Sequence, residues 1–439
     1  MKTSVLIASF LTSSACLAGA TVSDVIVRQQ WPWNTSVTVD YLVSGTDGAD
    51  TQVIVSAYRG NTLLGYLPQS ALTGDVIVNS DGEKRIAFNP ADVSFLASLP
   101  TMNDFRVDVS VDADEKPLYM ILDLTKAKTD KGFKTYVTEN ALTNGVWGAW
   151  QRGPCGMLPN SVIWTGVTQD PRYSTSCLVL RRIPAGSFTY GTDSSASYYN
   201  GTEIQVSTVT ISKDYWIGVF EFTKAQCSYA FGEVPATGNS QLSFPMTGLF
   251  YGSYEAKDSI RGMVGTTDYN WPNDDHVRSG TVMGKLRDMT GLAVDLPTEA
   301  QWNKAARAGS SGPYYHTTST TVGDSALNQV AWYVNNSADK FHAVGQKLPN
   351  DYGLYDVLGN AAEWVLDWYV KKYTPDATDP KGPTSDPEDT KLRVNVGGNY
   401  YANPSKSGGK DAGHLGYRTG AAYNTQPART GFRVCCPAE

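Results

Sequence analysis

Charge is scarce in this sequence, histidine is scarcer, and neither basic runs nor long apolar runs occur. Charged residues make up 18% of the 439 residues, with 43 acidic side chains against 36 basic ones, for a net charge of −7. Nucleic-acid binding needs Lys and Arg clustered against phosphates, so this balance argues against that class of partner. No segment after the first twenty residues approaches the roughly 18 uninterrupted apolar residues of a membrane helix, which argues against a permanent span. The four histidines, His276, His316, His342 and His414, show no HxxxH or HxH spacing, and none of the six cysteines falls in a CxxC pair. Both patterns speak against a zinc-type centre.

What is present starts with an export signal. Met1 and Lys2 form a short positive start, Val5 to Leu11 is apolar but for Ser9, and Ala18-Gly19-Ala20 supplies small residues for cleavage. Ser13 stands where a lipoprotein signal usually carries a larger aliphatic residue, which weighs against acylation of Cys16. The expected location is secreted, periplasmic or cell-surface. Loss of residues 1–20 removes Lys2 and takes the net charge to −8. Cys155, Cys177, Cys227, Cys435 and Cys436 remain, an odd set for which disulfide pairing is the default in an oxidising compartment.

The 41 glycines, 25 tyrosines and 11 tryptophans indicate turns and short strands more than long helices. Residues 21–137 are strand-like: Val37, Val39, Tyr41 and Val43 alternate with polar residues, as do Val53, Val55 and Ala57, and Phe105, Val107, Val109 and Val111, while Tyr119 to Leu124 is continuously apolar. This stretch reads as an immunoglobulin-like β-sandwich, with nothing catalytic in it. Residues 138–176 read as a linker and lead-in. Beyond them, Thr223-Lys224-Ala225-Gln226 and Thr298-Glu299-Ala300-Gln301 each fit a helix capping box. Gly309 is expected to close the second helix, and Trp302, Ala305 and Ala306 to form its apolar face. Glu363 and Asp367, four apart, would share a face if that segment were helical, as like charges on a solvated face or in a metal shell.

From Cys177 to Val434 the sequence carries an ordered series of motifs. They include Arg182-Ile-Pro-Ala-Gly-Ser-Phe188, Tyr215 to Gln226, Leu296-Pro-Thr-Glu-Ala-Gln-Trp302, Tyr352-Gly-Leu-Tyr-Asp-Val-Leu-Gly-Asn360, Glu363-Trp364, Gly397-Gly398 and Thr430-Gly-Phe-Arg433. This order resembles the formylglycine-generating enzyme family, also called the sulfatase-modifying factor domain. The resemblance implies a mixed α/β domain of the C-type lectin type over residues 177–439, making the whole chain α+β. It also implies chain ends that meet, so that Cys435 or Cys436 could bridge to Cys155 or Cys177, with Cys227 buried or paired with the remaining one.

Enzymes of the family oxidise a sulfatase cysteine to formylglycine with oxygen and a copper ion held by two thiolates, and soft sulfur ligands suit Cu(I). Those thiolates follow a Gly-Gly-Ser motif. Here Gly397-Gly398 is followed by Asn399, Ala402 stands at the first thiolate position, Asn403 replaces a usual histidine, and Ala362 replaces the bulky residue before Glu363. Copper is therefore not expected. Iron-dependent sulfoxide synthases of the wider family draw their histidines from a helical domain that this sequence lacks. A family calcium loop does match, with Asp356, Gly359, Ala361 and Glu363 as two carboxylates and two backbone carbonyls.

Two functions follow from the resemblance. The first is a binding module whose loops from Asn395 to Tyr423 present Asn399, Tyr400, Tyr401, Asn403, Tyr417, Arg418 and Tyr423 to a glycan, a peptide or an exported partner protein. In a special case, this stretch resembles the ligand-binding region of variable proteins diversified by retroelements. The second is an oxidoreductase of the formylglycine-generating or non-haem metal type, acting on a sulfatase or another exported substrate.

Overall fold

The structure is a computed structural model. It describes residues 20–438 apart from 30–35, 47–50, 98–103, 112–115, 131, 154–157, 159–160, 197, 200, 202, 237, 253–257, 263–276, 317–323, 384, 387–389 and 404–412. The signal segment, Cys16, Cys155 and the 404–412 portion of the expected loop surface lie outside the described residues. The chain divides into two compact units, residues 1–119 with 134–150, and residues 120–133 with 151–439.

The first unit holds β1 (Thr21–Gln29), β2 (Val37–Ser44), β3 (Thr51–Arg59), β4 (Thr62–Tyr66), β5 (Leu72–Gly74), β6 (Ile77–Val78), β7 (Gly82–Phe88), a helical turn α1 (Ser94–Ala97) and β8 (Phe105–Val111). One antiparallel sheet runs β1-β2-β7-β5. The other runs β4-β3-β6, with β8 also on β3. Alternation decides the inner faces. Val37, Val39, Tyr41 and Val43 point into an apolar cluster that also takes Val53, Val55, Ala57, Val107 and Val109 from the second sheet.

β3 departs from simple alternation, because Ile54 on its outer face is buried as well, against Ala141 and Val146. These come from the stretch read as a linker. After β9 (Tyr119–Asp123) and β10 (Lys134–Val137), Thr138 caps α2 (Glu139–Thr143), and Trp147 donates its indole N–H to Gln52 Oε1 at 2.7 Å. The apolar run at 119–124, grouped with the sandwich on its sequence, forms β9, which apart from Tyr119 lies in the second unit.

The second unit is sheet-rich with short helices. It contains β11 (Gln151–Arg152), β12 (Val162–Ile163), β13 (Cys177–Ile183), β14 (Gly186–Tyr190), β15 (Ser207–Ile211), β16 (Tyr215–Gly218), α3 (Lys224–Ala230), α4 (Val282–Thr290), α5 (Glu299–Arg307), α6 (Asp324–Val330), β17 (Ala362–Trp368), β18 (Leu392–Val396), β19 (Arg418–Ala422), β20 (Thr430–Gly431) and β21 (Cys435–Pro437). β9, β13, β16 and β21 adjoin in that order, and a second sheet runs β19-β18-β17-β20. No described helix is long and apolar enough to cross a membrane.

Both capping boxes form. Thr223 accepts from the Gln226 N–H while Gln226 accepts from the Thr223 N–H, and Thr298 and Gln301 do the same. The end of α5 differs from expectation: Ala308, not Gly309, takes the left-handed cap position with φ 44, and Gly309 follows. Every residue of α5 is buried, so Trp302, Ala305 and Ala306 belong to a helix enclosed all round. Glu363 and Asp367 lie on a strand, β17, whose register is interrupted between Trp364 and Trp368, so the helical spacing does not apply.

Candidate functional site

The turn before β17 is held by unusual backbone. Asp356 and Asn360 both adopt φ 52, in the left-handed region that Asp and Asn enter more readily than other side chains. Gly359 between them has φ 76, and a Cβ there would stand 2.1 Å from the Trp332 carbonyl oxygen. That close approach lets Asn360 N–H donate to Trp332 O at 2.9 Å and Gly359 N–H to Gly397 O at 3.0 Å. Asn360 then joins three segments. Its Oδ1 accepts from His342 N–H at 3.0 Å, its Nδ2 donates to Glu221 Oε2 at 2.7 Å, and its carbonyl accepts Tyr400 N–H at 2.8 Å.

Beneath this turn lie three buried carboxyl groups and one guanidinium. Arg433 grips Glu363 bidentately, Nε to Oε2 at 2.7 Å and Nη2 to Oε1 at 2.5 Å, and Trp302 Nε1 donates to Oε2 at 2.6 Å. Glu221 accepts from Ala361 N–H at 2.8 Å, and Asp356 Oδ2 from Gly345 N–H at 2.7 Å. Asp356 Oδ1 is buried without a partner. Burial, and then the neighbouring Asp356 and Glu363 charges, push the Glu221 carboxyl well above its usual range. Burial likewise pushes Asp356 up to about 6, against the pull of the Gly345 N–H. One guanidinium facing three acids leaves the cluster favouring a proton or a further cation.

That arrangement bears on calcium. Asp356 suits a hard cation through its unpartnered oxygen, and Glu363 Oε1 accepts a single hydrogen bond where a carboxylate oxygen can accept two. The Gly359 and Ala361 backbone is adjacent. Among the described residues no three His, Cys, Asp or Glu side chains converge as a ligand set, so calcium here would rest on two carboxylates and backbone carbonyls.

The thiols are placed differently. Burial pushes Cys177 up to about 11 and Cys227 to about 12, and raises Cys435 well above its usual range. Each therefore holds its proton at neutral pH. Cys177, Cys227 and Cys435 are free, so neither Cys177 nor Cys435 forms a bridge expected from meeting chain ends. Cys435 and Cys436 are consecutive on β21 and face opposite sides of the strand. Ala402 is buried, its N–H on Asn399 O and its carbonyl accepting Val334 N–H.

The expected ligand-surface residues separate into distinct places. Asn399, Tyr400, Tyr401 and Asn403 share one loop, in which Asn399 Oδ1 accepts the Tyr401 N–H at 2.9 Å. Tyr400 packs edge-on against Phe341, with ring centroids 4.7 Å apart, and Tyr401 is 51% exposed. Arg418 is not on the surface. It is buried at the first position of the edge strand β19, with Nε and Nη2 on Glu299 at 2.7 and 3.0 Å, the counter-charge that a buried guanidinium needs. Tyr417 and Tyr423 flank the five residues of β19 and so stand at opposite ends, on the order of 20 Å apart along an extended strand. Tyr417 lies near His414, and Tyr423 lies against Trp368.

The sequence reading assigned no role to Glu221, Phe341, Arg429 or Arg433. Arg433 sits within the Thr430–Arg433 motif already singled out. Glu221, 142 positions from Glu363 in the chain, is brought to it only by folding.

The sulfatase-modifying factor enzyme 1-like domain matches residues 167–437. The chain belongs to this family. Among curated members of the sulfatase-modifying factor family, the formylglycine-generating enzyme of Mus musculus is 26% identical over 271 residues, covering 55% of this chain and 70% of that enzyme. The Bos taurus enzyme is 27% identical over 255 residues, covering 51% and 66%. The chain thus spans about two thirds of the length of both relatives. Among solved structures, Treponema denticola variable protein 1 aligns with a TM-score of 0.44 at 23% identity, covering 60% of this chain and 96% of that one. The family match begins before Cys177 and so takes in the turn Pro171–Ser174 that precedes β13.

Proposed function

We propose that this chain is an exported binding module, a member of the sulfatase-modifying factor family in which the copper chemistry has given way to recognition. The observation that carries this reading is the loop after Gly398. Where family resemblance places the first thiolate, Ala402 is buried, and the same loop exposes Tyr401 and half-buries Tyr400 beside Arg429. The C-type lectin type of scaffold belongs to the same reading. So does an immunoglobulin-like role for the first unit as a spacer or adhesion module, supported by its two antiparallel sheets around one apolar cluster.

The deciding experiment is oxygen consumption by the purified chain loaded with Cu(I) and offered a cysteine peptide of a sulfatase. The expected result is no turnover and no stoichiometric copper. Oxygen uptake with aldehyde formation would establish the oxidoreductase alternative instead.

We also propose that calcium binds at Asp356, Gly359, Ala361 and Glu363, supported by the unpartnered Asp356 Oδ1. Calcium should raise the thermal midpoint of the chain by several degrees at saturating concentration. Asp356→Asn should abolish that rise, and an unchanged midpoint in wild type would remove calcium from the account.

A further inference from the structure

Arg429 touches both tyrosines of the outward loop. Its guanidinium carbon lies 5.4 Å from the Tyr400 ring centroid and 4.6 Å from that of Tyr401. Its Nε donates to the Tyr400 hydroxyl at 3.1 Å. Tyr400 is in turn wedged edge-on against Phe341. The guanidinium plane is therefore set by two rings and one hydrogen bond, while among the described residues no ion pair holds its η nitrogens. Among the described residues, the acid acting on it is Asp339, which makes no ion pair with it. Lys340, beside Phe341, is exposed too, as are Arg429 and Tyr401. In a chain with an acidic surplus, the described residues of this rim gather Arg429 and Lys340 against Asp339.

A planar fork with its Nε already spent and its outer nitrogens free is shaped for a carboxylate, which accepts two parallel N–H bonds. Stacking on aromatic rings lowers the entropy cost of presenting it, and Tyr and Arg are the residue types that dominate binding hot spots. A neutral glycan would use the tyrosine faces but would leave the guanidinium uncompensated. Charge complementarity thus favours an acidic ligand.

We propose that the Arg429–Tyr400–Tyr401 platform docks an acidic peptide segment of a partner protein, with the Arg429 fork taking one Asp or Glu carboxylate and Tyr401 packing along the adjoining chain. This rests on the binding-module reading and names the partner chemistry of that same loop.

The test uses the full chain and two fluorescein-labelled synthetic peptides, one carrying spaced glutamates in a Gly-Ser background and one with glutamines in their place, read by fluorescence anisotropy. The acidic peptide should bind at least about tenfold more tightly than its amide counterpart, a difference that shrinks at high salt. Arg429→Gln should lose about tenfold or more in affinity, Arg429→Lys should not restore it, and Tyr401→Ala should weaken it. Both sites are exposed, so unchanged thermal midpoints will show that the variants are folded. Equal affinity for the two peptides, no binding of the acidic one, an unaffected Arg429→Gln, or preference for a sulfated glycan would each overturn the proposal. Binding of a neutral peptide or glycan as tight as that of the acidic peptide would sink it while leaving the binding-module reading standing, whereas oxygen turnover would sink that reading whatever the peptides do.

Discussion

Arg433 and Arg418 show how two buried arginines of this chain are accommodated. Each is enclosed and faces one glutamate in a bidentate pair, Glu363 and Glu299 respectively. Cutting one partner from such a pair leaves an uncompensated charge in the interior. Glu363→Gln should cost about 3–5 kcal/mol, read as a fall in the urea midpoint without a change in slope. Asp367 makes a different statement. Burial first, and the Glu299 charge next, push its carboxyl up to about 7, and its Oδ1 has no partner. A carboxyl whose folded pKa is raised stabilises the fold below its unfolded pKa, and that contribution is lost as pH rises through the folded value. The difference in thermal midpoint between Asp367→Asn and wild type should therefore grow in favour of the variant from about pH 4 to pH 7–8. Buried His414, lowered by desolvation, acts with the opposite sign on acidification in both proteins, so the comparison between them isolates Asp367. A difference that stays flat with pH would refute the assignment.

Among the elements, those written in local sequence were the ones read correctly. A capping box needs four consecutive residues, and α3 and α5 start where Thr223 and Thr298 place them. Thr298→Ala should cost about 1 kcal/mol, measurable by chemical denaturation. A smaller loss at Thr298 than at an uncapped surface threonine would contradict the role assigned to it. α4 carries the same local signals, Thr281 as cap and Gly291 at φ 71 as terminator, and went unread because its apolar positions lie within a loop-like composition. β17 was harder still. Glu363 to Asp367 fits a helical spacing as well as a strand, and the choice is made by pairing with β18 on one side and β20 on the other. Period alone cannot separate the two when every residue is buried.

For the whole molecule, the division into two compact units predicts more than one calorimetric transition on heating. A single transition whose van't Hoff and calorimetric enthalpies agree would contradict separate folding. The alternation in β2 and β8, the family motifs and the mixed α+β character could all be read along the chain, because each rests on neighbours in sequence. The division between the units could not, since residues 120–133, grouped with the first domain on sequence, go to the second unit, and 138–150, read as linker, go to the first.

The same limit governs the site. Local sequence was enough for the family resemblance that aligns Ala402 with a usual thiolate position, for the single motif that holds Asp356 and Glu363, and for the loop shared by Tyr400 and Tyr401. Tertiary structure alone decided that Arg418 is interior, that Tyr417 and Tyr423 lie at opposite ends of a strand, and that Glu221 and Arg433 complete the acidic cluster. It also decided that Arg429 lies across both tyrosines. Burial and charge pairing depend on residues far apart in the chain, and a linear pattern carries no record of which of them meet.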